Sequence, residues 1–232
     1  MGSHGGSWSG TLHIGNGVAL LDARVGERTT HRHLAIQLSV GVDGPIELSC
    51  RDHELVASAV LIGGNIPHRI GPLGRHLRSL YVEPQLLLGK ELAQQLGAHD
   101  AAEAGTALEK MAREWKFLDA TAGPDRKRAR ELVSLIETAG PAEGPRDWAR
   151  ALGIAPSRLR AFCVEVFGAP PVRLRQWLRL KAAARVIAGG GGLAEAAALA
   201  GYADQPHFTR QLSSWFGVSP GRGLSPLRIV VE

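Results

Sequence analysis

The chain has 232 residues, 44% of them hydrophobic, enough for one large domain or two small ones with ordinary cores. Its apolar runs fall far short of the ~20 residues of a bilayer span, and no basic stretch followed by an apolar one opens the chain, so neither a membrane span nor a secretion signal is expected. The net charge of +5 is uneven: residues 141–232 carry 12 Lys and Arg against 6 Asp and Glu, and the remainder is close to neutral. A polyanion is therefore a candidate partner of the C-terminal part, although surface arginines can also be merely solvated.

Residues 1–8, which open Met1-Gly2-Ser3-His4, read as an expression remnant. From Val18 to about Leu88, short β-like runs alternate with Gly, Pro and Asp: Val18–Leu21, Leu34–Val40, Ile46–Ser49, Val56–Ile62 and Leu77–Val82. Residues 9–88 are expected to form a compact antiparallel sandwich or barrel. In a strand, residues two apart share a face, so His31, His33, Ala35 and Gln37 point one way and Leu34, Ile36, Leu38 and Val40 the other. His68 follows, after Pro67, at the start of another β-like segment. Such a His/Gln face is either solvated, or lines an organic-effector pocket, or holds a metal, for which neutral imidazoles are good ligands. His13, His53 and His76 fit no ligand spacing and read as surface residues. Cys50 and Cys163 lie far apart and outside any Cys-x-x-Cys pattern, so they read as small buried hydrophobes in a reducing cytoplasm.

Residues 89–140 change to a helical pattern, with breaks at Gly97-Ala98-His99-Asp100 and Gly123-Pro124-Asp125. Leu108, Met111, Trp115 and Leu118 recur at helical spacing and form an apolar stripe that serves either a homodimer contact or packing on the chain's own barrel. Ala139 to Pro145 is a linker by composition.

Residues 141–232 repeat one plan twice. A helix-turn-helix needs a short helix, a tight turn that favours Gly, and a second helix packed on one face and free on the other to enter the major groove. In the first copy Arg146 to Leu152 supports, Gly153 turns, and Ala155 to Phe167 reads. There Leu159, Phe162, Cys163 and Val166 face inward, and Ser157, Arg160 and Ala161 face out. In the second, Leu193 to Ala200 supports, Gly201 turns, and Asp204 to Phe216 reads, with Phe208, Leu212 and Trp215 inward and Pro206, Thr209, Arg210 and Ser213 outward. Between them Val172 to Ala188 reads as one continuous helix, with Trp177, Leu180, Ala184 and Ile187 on one face and Arg175 and Arg179 on the other. It spans roughly 25 Å at ~1.5 Å per residue. The attached helices bring the two readers near the ~34 Å between successive major-groove faces on one side of DNA.

Arg158-Leu159-Arg160, Phe167-Gly168-Ala169-Pro170-Pro171, Arg179-Leu180-Lys181-Ala182-Ala183, Gly201 to Leu212 and Trp215 to Pro220 resemble the AraC/XylS family signature over about 85 residues. The resemblance implies base-edge contacts from Ser157, Arg158 and Arg160 in the first reader and from Gln205, Pro206, Thr209 and Arg210 in the second. Ala161 stands where the family often has Arg, and Gly189 to Gly192 replace a short polar turn. His31, His33, Gln37 and Gly44, with His68 downstream, resemble the motifs of cupins, the small jelly-roll barrels often found at the front of such regulators. That resemblance implies convergence of His31, His33 and His68 on a site for a divalent transition metal (Zn, Ni, Cu, Fe or Mn) or an organic effector. Gln37 takes the place of the Glu of metal-binding cupins.

The expected fold class is α+β, a cupin-like barrel with helices followed by an all-α domain of two helix-turn-helix units joined by a long helix. The expected function is a bacterial cytoplasmic transcription regulator. It would bind an operator in double-stranded DNA, answer to a small-molecule or metal effector, and have a homodimer and RNA polymerase as further partners. A metal-dependent cupin enzyme and a constitutive DNA binder are the alternatives. The enzyme has no use for the tail, and no nucleophile set, phosphate-binding Gly loop or paired acid accompanies the histidines.

Overall fold

A computed structural model of the chain describes residues 8–26, 29–51, 53–84, 86–116, 126–140, 142–167, 169–216 and 227–231. The alternating runs of the front half form β1 (Ser9–Ile14), β2 (Val18–Arg24), β3 (Ile36–Gly41), β4 (Ile46–Cys50), β5 (His53–Ala57), β6 (Ala59–Ile62), β7 (His68–Gly71) and β8 (His76–Val82). Two sheets enclose the core, one ordered β5-β4-β7 and a larger one in which β1, β2, β8, β3 and β6 are neighbours in that order. Leu38, Val40, Ile46, Leu48, Leu77 and Leu80 are fully buried between and behind them.

Every residue of β3 is buried, so of the alternatives for its His/Gln face the solvated one does not hold. One face of β3 looks into the barrel and helices cover the other. Those helices are α1 (Leu87–Leu96) and α2 (Thr106–Glu114), both of which pack on β3. Leu34 lies before the strand and is 46% exposed, contrary to its expected core position. Leu108 on α2 is buried and Met111 and Trp115 pack against the same core. The described part of the stripe thus packs on the chain's own barrel, one of its two expected roles; Leu118 lies outside the described residues. Trp8, grouped above with the remnant, is only 8% exposed and belongs to the core, whereas residues 1–7 lie outside the described residues. The Val56–Ile62 run is divided at Ser58 into β5 and β6.

The helices continue with α3 (Arg126–Thr138), α4 (Pro145–Ala151), α5 (Pro156–Phe167), α6 (Pro171–Ala188), α7 (Leu193–Leu199) and α8 (Gln205–Phe216). Pro145 and Pro171 stand in first turns, where a missing N–H costs nothing, and Asp204 caps α8 by accepting the His207 amide at 2.5 Å. Gly153 and Gly201 turn the two units with φ of +65° and +72°, angles a side chain resists. Leu159, Phe162 and Cys163 are buried under α5, and Phe208, Leu212 and Trp215 under α8. Both cysteines are indeed buried and unpaired, and burial pushes the Cys163 thiol up to about 12.

Two strands depart from the expected helical second half. β9 (Ala101–Glu103) falls at the first break between helices and pairs antiparallel with β6. β10 (Leu227–Val231) follows the second reader and pairs parallel with β1, Leu12 opposite Ile229, so the C-terminal part is not all-α. The tail is also seated on the barrel by α6. A Cβ on Gly17 would lie 2.5 Å from the Trp177 ring, and the Arg173 guanidinium bonds the buried Glu83 carboxylate at 2.8 Å.

Gly17→Ala is expected to destabilise the chain in urea unfolding by at least about 1 kcal/mol more than Gly97→Ala, because overpacking adds to the strain of a positive φ that the two glycines share. Equal costs at the two positions would contradict the seating of Trp177 on Gly17.

Candidate functional site

Within the barrel the period-2 geometry of β3 and β8 makes a polar stripe. Gln37 and Ser39 on β3 stand opposite Tyr81 and Ser79 on β8. Gln37 is 1% exposed and both serines are fully buried. His68, on β7, faces them from the other sheet, and His31 joins it through a bridge in which each main-chain N–H donates to the other's carbonyl at 2.9 Å. His33 packs edge-on to Tyr81 at 5.1 Å. The three imidazoles and Gln37 are therefore brought together, with His31 at the half-buried edge and His33 and His68 inside.

The hydrogen bonds fix the chemistry of these rings. Each donates Nδ1–H to a main-chain carbonyl: His31 to Thr29 at 3.1 Å, His33 to Ala35 at 3.0 Å and His68 to Ile66 at 2.8 Å. In a neutral ring so placed, Nε2 is a bare lone pair. Yet His33 Nε2 and His68 Nε2 lie 2.8 Å and 3.1 Å from the Gln37 amide oxygen, which can only accept. The Gln37 amide nitrogen donates to Ser39 Oγ at 2.8 Å, and the Ser39 and Ser79 hydroxyls share a further bond at 2.6 Å.

Three acceptors facing one another require one of two resolutions. The amide turns over, so that its NH2 donates to the two Nε2 atoms and its oxygen accepts from Ser39; or a cation lies among them. A proton does not serve near neutral pH. Burial, set against the Gln37 bond and reinforced by the His31 charge, lowers His33 to about 4. Burial together with the His31 and His33 charges lowers His68 to about 3. One nitrogen from each of His31, His33 and His68 lies within 4.8 Å of the others, and carbonyl bonds to Nδ1 are the usual outer support of metal-bound imidazoles. The donor set fits a divalent transition metal, with Gln37 as a weak neutral ligand beside it.

The second candidate site is the outer face of the readers. Ser157, Arg158 and Arg160 are exposed on α5, and Gln205, Pro206 and Arg210 on α8, with Thr209 half-buried beside them. Arg158, Arg160 and Arg210 form no ion pair among the described residues. Such uncommitted guanidinium groups on a convex helix face suit recognition of phosphate or guanine. Arg175 and Arg179, on the other side of α6 from Trp177 and Leu180, are half-buried. The Arg175 guanidinium is 5.4 Å above the Trp148 ring and donates to the Glu143 carbonyl, and Arg179 stands beside Gly201, so both fill a cleft between helices.

Sequence reasoning missed Ser39, Ser79 and Tyr81, although the i+2 rule that grouped His33 with Gln37 extends to Ser39. It had no means to find Glu83 or Arg173, which meet only when the tail docks.

Residues 148–224 match the model of a helix-turn-helix domain. No curated protein matches the sequence. Among solved structures, ToxT from Vibrio cholerae aligns at 12% identity over 88% of this chain and 96% of its own, with a TM-score of 0.45. The unsaturated fatty acid-bound form of ToxT aligns at 13% over 88% and 92%, at 0.43. An RmlC-like cupin from Shewanella frigidimarina aligns at 15% over 36% of this chain and 88% of its own, at 0.25. Likenesses so distant assign no ligand to this chain.

Neutral burial of His33 and His68 carries a sign for stability. Their folded pKa values lie below the unfolded ~6.5, so below that pH the unfolded chain binds more protons. Stability is full above about pH 6.5 and declines as pH falls toward 4, by up to ~1.4 kcal/mol per unit for each ring. With chelator present, urea unfolding of a His33→Gln/His68→Gln chain is expected to show a shallower slope between pH 7 and 5 than wild type. Identical slopes would contradict neutral burial.

Proposed function

We propose that this chain, whose residues 148–224 match a helix-turn-helix domain, is a sequence-specific transcription regulator of the AraC type whose DNA binding is set by occupancy of the front barrel. The observation that carries the reading is the pair of exposed reader faces, Ser157, Arg158 and Arg160 on α5 and Gln205, Pro206, Thr209 and Arg210 on α8, held on either side of one helix. α6 has 18 residues and is about 27 Å long at ~1.5 Å per residue, which suits two readers in successive major grooves. Arg can make a bidentate bond to guanine, Gln can do so to adenine, and Thr offers a methyl group to thymine. Phosphate neutralisation by the surrounding arginines would make binding fall steeply with salt.

The effector proposed for the barrel is a divalent transition metal held by His31, His33 and His68 with Gln37 beside it. Support comes from the three Nδ1–carbonyl bonds, which place the ring proton on Nδ1, from the approach of one nitrogen of each ring to within 4.8 Å of the others, and from the acceptor-only contact of Gln37 with the Nε2 atoms of His33 and His68. An organic effector reaching the half-buried His31 edge is the second reading, favoured by the neutral amide that leaves a metal site one charge short. A homodimer and, if the regulator activates, RNA polymerase would be further partners.

Arg210→Ala is expected to cost about 1–3 kcal/mol of affinity and to relax base preference in one half of the site only. A uniform loss on all sequences would make Arg210 a phosphate contact instead. For the barrel, metal content and DNA affinity are to be measured on the same preparations of wild type and His31→Ala/His33→Ala. Wild type is expected to bind one equivalent of Zn, Ni, Cu, Fe or Mn and to change its DNA affinity by about 5- to 150-fold, and the double variant to do neither. A wild type that takes up no metal sinks the metal version.

A further inference from the structure

The two readers are not tied to the barrel alike. α5 packs chiefly on α4 and α6. α8 meets the barrel directly in its last turn, and the strand that follows it in sequence joins the barrel's large sheet. In its last turn the Ser214 carbonyl accepts the Leu34 amide at 2.9 Å, and Leu34 is the residue directly after His33. Beyond α8 the chain comes back as β10, which extends the large sheet beside β1 through five residue pairs, from Gly10 opposite Leu227 to Ile14 opposite Val231. Leu227 is buried, Ile229 and Val231 pack against the core, and α6 lies on the strand. Addition of a strand to a sheet edge docks a segment through main-chain hydrogen bonds, with alternate side chains adding apolar contact.

We propose that β10 and the Leu34–Ser214 bond form a positioning device for the second reader alone, so that the state of the histidine site reaches DNA through α8 while α5 reads independently. The inference rests on the reading that both helices contact DNA. Its physical content is an ordering cost. α8 held at its last turn, with β10 docked on β1, is already in place when DNA arrives, whereas a released α8 must be fixed during binding. Gln205, Pro206 and Arg210 on α8 are exposed and Thr209 is half-buried while it is held, so the hold leaves the reader open and fixes its direction. The link to the sensor is short: His31 is bridged to His68, His33 bonds Gln37, and the next amide is the one that grips α8. A ligand shared by the three ring nitrogens, which lie within 4.8 Å of one another, would act on the segment from His31 to Leu34 that grips α8.

The test uses the full chain, a chain ending at residue 226, and a DNA site selected with wild type. Affinity is measured on the intact site and on duplexes in which only one half is kept. Loss of β10 is expected to weaken the intact site about 5- to 150-fold and to leave the duplex keeping only the α5 half within about twofold. Equal weakening of both, or of neither, overturns the proposal. Because the shortened chain can also fail by unfolding, Leu12→Cys/Ile229→Cys is measured beside it. These two face each other across the strand pair, and neighbouring strands bring Cα atoms to a spacing that a disulfide accepts. The oxidised lock is expected to keep wild-type affinity on the intact site, and a lock that loses the α8 half alone would overturn the proposal. Arg158→Ala and Arg210→Ala separate the two failures. If neither affects its own half of the site, the DNA reading fails; if both do and β10 has no effect, only the positioning role fails.

Discussion

α6 is one helix that must satisfy neighbours on nearly every side, and the arrangement of both halves follows from that constraint. Trp177 closes on Gly17, Arg173 reaches the buried Glu83, β10 lies along it, and α3, α5 and α7 pack around the rest. Leu174, Trp177, Leu178, Leu180, Lys181, Ala183 and Ala184 are all buried, well beyond the single stripe of a surface helix. Glu83 is 3% exposed, and a carboxylate so placed is tolerable only with a partner. Removing Arg173 would leave an unpaired buried charge, so this pair ties the tail to the barrel by the cost of breaking it more than by the benefit of forming it.

The barrel interior is organised by a different necessity. A run of buried polar groups, from His68 and His33 through Gln37 to Ser39 and Ser79, must be satisfied internally because water does not reach it. The backbone carbonyls of Thr29, Ala35 and Ile66 decide which ring nitrogen carries the proton, and the other nitrogens are thereby turned on a common centre. Turning of the Gln37 amide and arrival of a cation are alternative answers to one surplus of acceptors. A switch in this barrel therefore needs no large motion at its origin; it needs the amide to change partners.

How much of this the sequence discloses depends on how local each feature is. The helix-turn-helix units were legible because their signals lie within a few residues of one another: Gly153 and Gly201 at turns, and Phe208, Leu212 and Trp215 on one face. The histidine set was legible in part, since His31, His33 and Gln37 share a period of two, and the return of His68 came only with the family resemblance. What stayed hidden arises from tertiary burial. β3 is covered on both faces, which period-2 reading cannot foresee. The partners of Arg175 and Arg179 stayed hidden, because a helix buried on several sides has no empty face. β10 is a short run of Leu, Ile and Val after a helical domain, and only a waiting sheet edge at β1 makes it a strand. The stripe on α2 was correctly read as apolar, but periodicity names no partner, and the nearest partner was its own barrel.

The central claim is that one chain reads DNA with two helices spaced by α6. Methylation-protection footprinting of the full chain on a bound site tests it most directly, because guanine N7 reports the major groove base by base. The account predicts two protected clusters on one face of the duplex, about 10 bp apart, with unprotected bases between them. A single protected cluster, or two on opposite faces, would contradict it.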